Sequence, residues 1–141
     1  MMILQAATDA EIAACYPVMQ QLRPDLAASE FVELVRQLEK SGYRLVFMKL
    51  DEQVVAVAGF RLGKSLAWGR FLYVDDLVTS AQYRSRGCGA RLLSWLRAYA
   101  IAENCRQLHL DSGIQREDAH RFYQREGLSK ASYHFVETLS P

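Results

Sequence analysis

The chain has 141 residues, half of them apolar, and a formal net charge of only +1. At that length it can bury roughly two thirds of its unfolded surface in one core without a staple, which excludes the disordered and small cystine-rich classes. The near-neutral charge argues against a general nucleic-acid binder, and the longest apolar run, Val54 to Phe60, is far too short for a membrane helix. Cys15, Cys88 and Cys105 are odd in number and lack C-x-x-C or Cys/His ligand spacing, so neither a disulfide framework nor a metal site is expected. With no secretory leader pattern, a cytoplasmic location, no membrane or nucleic-acid partner and one domain over residues 1–141 are the expectations.

Taken in chain order, Met2 to Ala7 read as a short strand, and Thr8 or Asp9 caps a helix starting near Ala10, whose Ile12, Tyr16, Met19 and Leu22 recur at helical spacing. That helix ends before Arg23-Pro24. A second helix follows Ser29, with Phe31, Leu34, Val35 and Leu38 as its apolar face and Ser41-Gly42 as its stop. Tyr43 to Leu50 and Gln53 to Leu62 are rich in β-branched and aromatic residues and predict an antiparallel hairpin around Asp51-Glu52. Gly63-Lys64-Ser65 is expected to turn the chain into a strand from Trp68 to Thr79. Leu92 to Ala102 supply a long helix, Gln107 to Asp111 a strand, and Ser132 to Leu139 a closing strand.

The most informative segment is Asp75-Asp76-Leu77-Val78-Thr79 followed by Arg84-Ser85-Arg86-Gly87-Cys88-Gly89-Ala90-Arg91. It predicts a strand, a basic glycine-bearing loop and a helix start, an arrangement that offers unpaired backbone N–H groups and guanidinium groups to an anion. A nucleotide P-loop needs Lys and Ser or Thr after its last glycine, and Ala90-Arg91 stand there instead. A dinucleotide fingerprint needs a third glycine where Leu92 stands. Asp111 does mimic the ribose-binding acid, but too little chain follows for the remaining units of such a domain. The spacing that fits is R-x-x-G-x-G.

That spacing resembles the acetyl-coenzyme A loop of the Gcn5-related N-acetyltransferases, the GNAT superfamily. The resemblance runs from about Phe71 to about Leu139, and Ala119-His120-Arg121-Phe122-Tyr123-Gln124-Arg125-Glu126-Gly127-Leu128 is similar to the family's A-x-x-F-Y-x-x-x-G-F signature, with Leu128 in place of Phe. It implies an α/β (α+β) fold with a mostly antiparallel twisted sheet of six to seven strands and about four helices. The activity it implies is transfer of an acetyl group from acetyl-coenzyme A to a primary amine, on a small cationic molecule or a peptide, by a monomer or homodimer without a metal.

The resemblance also assigns residues. Leu77, Val78 and Thr79 would bond the pantetheine arm as a further strand, with the N–H of Leu77 or Val78 at a bulge serving the acetyl carbonyl. Arg84, Ser85, Arg86, Gly87, Cys88, Gly89 and Ala90 would cradle the diphosphate, Cys88 through its amide alone. Arg116 stands where many members carry Asn and is assigned a cofactor phosphate. Tyr123 corresponds to the general acid, its phenol protonated at pH 7 from a usual pKa of ~10. Asp75 is the candidate base. Strand alternation puts Asp75 and Tyr73 on one face and Val74 and Asp76 on the other unless a bulge intervenes, so only one aspartate is expected to face the acceptor; the resemblance selects Asp75, leaves Asp76 to bind the acceptor ammonium or fix a neighbouring loop, and adds Tyr73 and Arg23 to the acceptor site. An acidic floor of this kind suits a cationic acceptor. Three alternatives stay open: an acyl-coenzyme A binding or sensing module without turnover, a loop that serves a different phosphorylated ligand, and a Cys88 nucleophile served by His109, His120 or His134.

Overall fold

A computed structural model describes residues 2–140, which form two compact units, one ending at Leu110 and one beginning at Asp111. In the first unit the order is β1 (Met2–Gln5), α1 (Asp9–Leu22), α2 (Ala28–Glu39), β2 (Tyr43–Leu50), β3 (Gln53–Ser65), β4 (Gly69–Thr79), a 3-10 turn (Ala81–Tyr83), α3 (Cys88–Ala102) and β5 (Gln107–Leu110). The strands form one sheet in the order β1-β2-β3-β4-β5, antiparallel except for the parallel β4/β5 pair. The second unit holds α4 (Glu117–Arg125). No helix among the described residues is long and apolar enough to cross a membrane.

Local chemistry sets the boundaries. Thr8 caps α1 in a reciprocal box: its hydroxyl accepts from the Glu11 N–H at 3.1 Å, and the Glu11 carboxylate accepts from the Thr8 N–H at 2.9 Å. The β2–β3 hairpin turns on Asp51 (φ 50°) and Glu52 (φ 67°), both left-handed, which matches the twist of a two-residue connection. The next turn lies later than Gly63-Lys64-Ser65, which stay paired within β3, and it runs through Leu66 to Trp68. Gly63 is there for contact rather than for turning, because a Cβ on it would meet the Phe71 ring at 2.5 Å. The positive φ is taken by Gly69 at 68°.

Helices cover both faces of the sheet, so Leu45 to Met48 of β2 and Val54 to Phe60 of β3 are buried. On one face Ile12, Cys15, Val18 and Met19 of α1 and Phe31 and Val35 of α2 pack with Leu45, Phe47, Val57 and Val78. Leu34 and Leu38, expected on that buried stripe, lie at its exposed margin. On the other face Leu92, Leu96 and Ala100 of α3 pack with Val46, Met48, Phe60, Leu72 and Val74. Each fully buried Leu or Phe of this kind stabilises the fold by about 1.5–3 kcal/mol.

The sheet has five strands where six to seven were expected. The difference is Ser132 to Leu139, which joins no ladder among the described residues and leaves Tyr133, Phe135, Val136 and Leu139 exposed. Its composition is that of a strand, but a strand is defined by its partner, and composition carries no information about one.

Candidate active site

One irregularity in β4 organises the first unit's polar residues. Opposite β3 the register runs Leu77↔Ala58, Asp76↔Gly59, then Val74↔Phe60 and Tyr73↔Arg61, so Asp75 is the extra residue of a β-bulge. Val78 packs on the α1 side and Leu72 and Val74 on the α3 side. Through the bulge Asp76 and Tyr73 both join the α1 side, and the Asp75 carboxylate meets Arg61, the partner of Tyr73, on that side too. The two carboxylates therefore share a face, in place of the opposite faces that simple alternation predicts.

Each is held by its own cation. Asp75 receives Arg61 in a fork, Nε to Oδ2 at 2.8 Å and Nη2 to Oδ1 at 2.9 Å. The Arg61 guanidinium lies 5.4 Å from the Tyr73 ring centre, and its proton is held more tightly than usual, chiefly by the hydrogen bonds to Asp75. Asp76 accepts from Arg23 Nε at 3.0 Å on Oδ1 and from the Tyr43 hydroxyl at 2.7 Å on Oδ2. Arg23, at the C-terminal cap of α1, also donates through Nη2 to the Asp75 carbonyl at 2.9 Å. Burial, then the Asp76 charge and hydrogen bond, push the Tyr43 phenol well above its ordinary range, so it is a fixed donor. Gly59 makes this possible: a Cβ there would lie 1.7 Å from the Tyr43 hydroxyl oxygen, which crosses β3 at that point to reach Asp76.

Past the bulge β4 is open on one edge. β5 ends at Leu110, opposite Val74, so Asp75 to Thr79 have a neighbouring strand only on the β3 side among the described residues. Beyond Thr79 the chain is pinned. The Ser80 N–H donates to the Val55 carbonyl at 2.8 Å, and Gln21 of α1 accepts from the Ala81 N–H at 2.9 Å while donating to Ser80 Oγ at 3.3 Å. Arg86 lies 5.3 Å from the centre of the Tyr83 ring, and Arg84 sits beside the Thr79 carbonyl. Ser85 (φ 64°) and Gly87 (φ 80°) are left-handed, and Gly87 caps α3 with no side chain bonding the first-turn amides.

The N–H groups of Cys88, Gly89 and Ala90 thus open α3 uncapped, next to exposed Arg84 and Arg86. The space beside Gly87 is clear, with nothing within 4 Å of where a Cβ would stand. These features fit a diphosphate. The Cys88 side chain is buried with the α3 core, so only its amide is available. His109 stacks on Trp68 with ring centres 3.5 Å apart.

In the second unit, Tyr123 lies on α4, half-buried, with its phenol shifted upward by burial against a smaller opposing effect of Arg116. Arg116 is the residue at the N-terminal cap of α4. The helix ends in a Schellman turn: Gly127 (φ 99°) donates to the Gln124 carbonyl at 3.1 Å and Leu128 to the Tyr123 carbonyl at 3.0 Å, which accounts for the glycine in the motif. His120 Nε2 lies 2.8 Å from the Gly113 carbonyl, and His134 lies 3.7 Å from Asp111.

Arg61, Tyr43, Gly59 and Gln21 are the participants that the sequence did not single out. For Gly59 a signal existed, since an isolated glycine inside an apolar strand marks a bulge or a close approach.

Known proteins resemble the chain in sequence and in fold. The family model described as "Acetyltransferase (GNAT) family" matches residues 7–128. The chain is 33% identical over 133 residues to the uncharacterized N-acetyltransferase YhdJ of Bacillus subtilis (strain 168), covering 93% of this chain and 94% of that one. It is 33% identical over 66 residues to the aminoalkylphosphonate N-acetyltransferase of Salmonella typhimurium, covering 47% of this chain and 43% of that protein. An aminoglycoside acetyltransferase structure from an uncultured soil metagenomic sample superposes with a TM-score of 0.84 at 13% identity, over 99% of this chain and 96% of the other, a likeness of fold.

Proposed function

The chain belongs to the acetyltransferase (GNAT) family and is an acyltransferase, and from that premise we propose that it moves an acetyl group from acetyl-coenzyme A to a primary amine by direct aminolysis. The observation that carries this reading is the run from an unpaired strand edge to an uncapped helix start. Asp75 to Thr79 have a neighbouring strand on one side only among the described residues, and nine residues after Asp75 the basic loop begins that leads to the Cys88, Gly89 and Ala90 amides.

Acetyl-coenzyme A, when bound, supplies the acetyl group as a thioester. Leu77, Val78 and Thr79 offer backbone groups to its pantetheine arm, and Arg84, Ser85, Arg86 and the Gly87 to Ala90 amides take its diphosphate. The Leu77 or Val78 N–H donates to the carbonyl oxygen as negative charge develops there. Asp75 takes the proton from the acceptor ammonium, so that the nitrogen lone pair forms the new C–N bond while the C–S bond breaks. Tyr123, whose upward shift keeps its proton in place at neutral pH, gives that proton to the departing thiolate, and the second proton that the nitrogen sheds as the amide forms restores the phenol by way of solvent. Asp76 orients the acceptor.

Asp75 rather than Asp76 is the base because it is the more exposed of two carboxylates that each accept two hydrogen bonds. A carboxylate has about four lone-pair sites. Asp76 is engaged by Tyr43 and by Arg23, with its side chain 14% exposed, whereas Asp75 receives one fork and is 26% exposed. The test is thiol release from acetyl-coenzyme A with a panel of primary amines, comparing wild type with Asp75→Asn. Amine-dependent release that falls at least ~100-fold in the variant is expected for loss of a general base. A variant as active as wild type overturns the assignment of Asp75, and no release with any amine overturns the transfer reading.

A further inference from the structure

We propose that the acceptor is a small zwitterion, a primary amine that carries a carboxylate or phosphonate on the same molecule, with Arg23 and Arg61 as the residues that select its acidic group. This rests on the acceptor site assigned above and names the substrate class of that site. The two arginines converge on one residue: Arg61 grips the Asp75 carboxylate and Arg23 the Asp75 carbonyl. With Asp75 and Asp76 they form a quartet of zero net charge, so the aspartates do not present the acidic floor that a cationic acceptor would favour.

What the quartet shows to solvent is the guanidinium side. Arg23 and Arg61 are 49% and 48% exposed, against 14% and 26% for the aspartates they pair with. Each arginine spends Nε and Nη2 on β4 and leaves both protons of Nη1 without an acceptor among the described residues. A fixed guanidinium with a spare N–H pair is suited to a carboxylate or phosphonate oxygen. An oligocation would meet two like charges before reaching a carboxylate, and a simple monocation would feel no net attraction. A zwitterion matches both signs, its acid on Nη1 and its ammonium on the unfilled lone pairs of Asp75.

The test is thiol release from acetyl-coenzyme A with four acceptors of similar size: an aminoalkylphosphonate, a short amino acid, an alkylamine with no acid, and a diamine. Wild type is expected to prefer one or both acid-bearing amines by at least ~10-fold in kcat/KM, the scale of one charge-assisted hydrogen bond. The better of the two identifies carboxylate or phosphonate. In Arg23→Met and Arg61→Met that preference should collapse toward one, through KM more than kcat. Equal or faster turnover of the alkylamine or diamine by wild type overturns the zwitterion and leaves the transfer reading standing. No release with any of the four overturns both.

Discussion

Gly59→Ala is the sharpest perturbation that the β4 bulge permits. In an ordinary strand the change would help by roughly 0.5–1 kcal/mol, because glycine loses more backbone freedom on folding than alanine does. Here the new Cβ falls 1.7 Å from the Tyr43 hydroxyl oxygen, 2.3 Å from Cζ and 2.6 Å from Cε1, so the ring must leave. Displacing it breaks the 2.7 Å bond to Asp76, a hydrogen bond to a charged group worth about 1.5–3 kcal/mol. Repacking a buried ring adds about 1–3 kcal/mol. Net of the glycine-to-alanine gain, the expected loss is about 1.5–5.5 kcal/mol, or roughly 5–19 °C in Tm for a chain of this length, read by thermal unfolding followed by circular dichroism. In a Tyr43→Ala background the same substitution should cost little, giving a coupling of at least ~2 kcal/mol. An unchanged Tm, or equal cost in both backgrounds, would refute the placement of Tyr43 across Gly59.

Three further outcomes follow from the geometry. Burial pushes the Cys15 thiol up from 9.0 to about 12, so its contribution is fully present below pH 9 and is lost as pH rises toward 12. Wild type should therefore lose about 1.4 kcal/mol per pH unit over that window from this group, and Cys15→Ala, compared by urea unfolding at pH 8 and pH 10.5, should lose correspondingly less. A pH slope unaltered in the variant would remove Cys15 as its source. Tyr123→Phe should keep coenzyme A affinity and lower turnover by ~100-fold or more, with unchanged turnover excluding the phenol as proton donor. Gly87→Leu and Gly42→Leu both place a side chain in open space at positive φ, 80° and 96°, and should incur similar strain of about 1–2 kcal/mol. Only the Gly87 variant should bind coenzyme A more weakly in a calorimetric titration, and equal affinity in the two would detach Gly87 from the diphosphate site.

Local chemistry was legible in the sequence wherever a short stretch determines its own structure. Thr8, one of the two expected caps, does cap α1, and Asp51-Glu52 form the expected hairpin turn, whereas the Glu11 half of the cap and the left-handed φ of Gly87 came only with the structure. The later turn was misplaced because Gly63 serves the Phe71 ring, a contact between strands that no window around Gly63 contains. The bulge is of the same kind. It exists only as a mismatch between β3 and β4, and it decides that Asp75 and Asp76 share a face. Arg61 and Tyr43 enter through that register, and in the sequence they are an ordinary exposed arginine and an ordinary strand aromatic.

The central claim is that the β4 edge and the loop into α3 hold a coenzyme A thioester. Its most direct test is thermal unfolding of the purified protein with acetyl-coenzyme A, coenzyme A, NAD and ATP, each at about 100 times a plausible Kd. A true ligand at that ratio adds roughly 2.7 kcal/mol, or about 7–10 °C. A shift of that size with the two coenzyme A species and not with NAD or ATP is the predicted result. No shift with coenzyme A, or an equal shift with all four ligands, would contradict it.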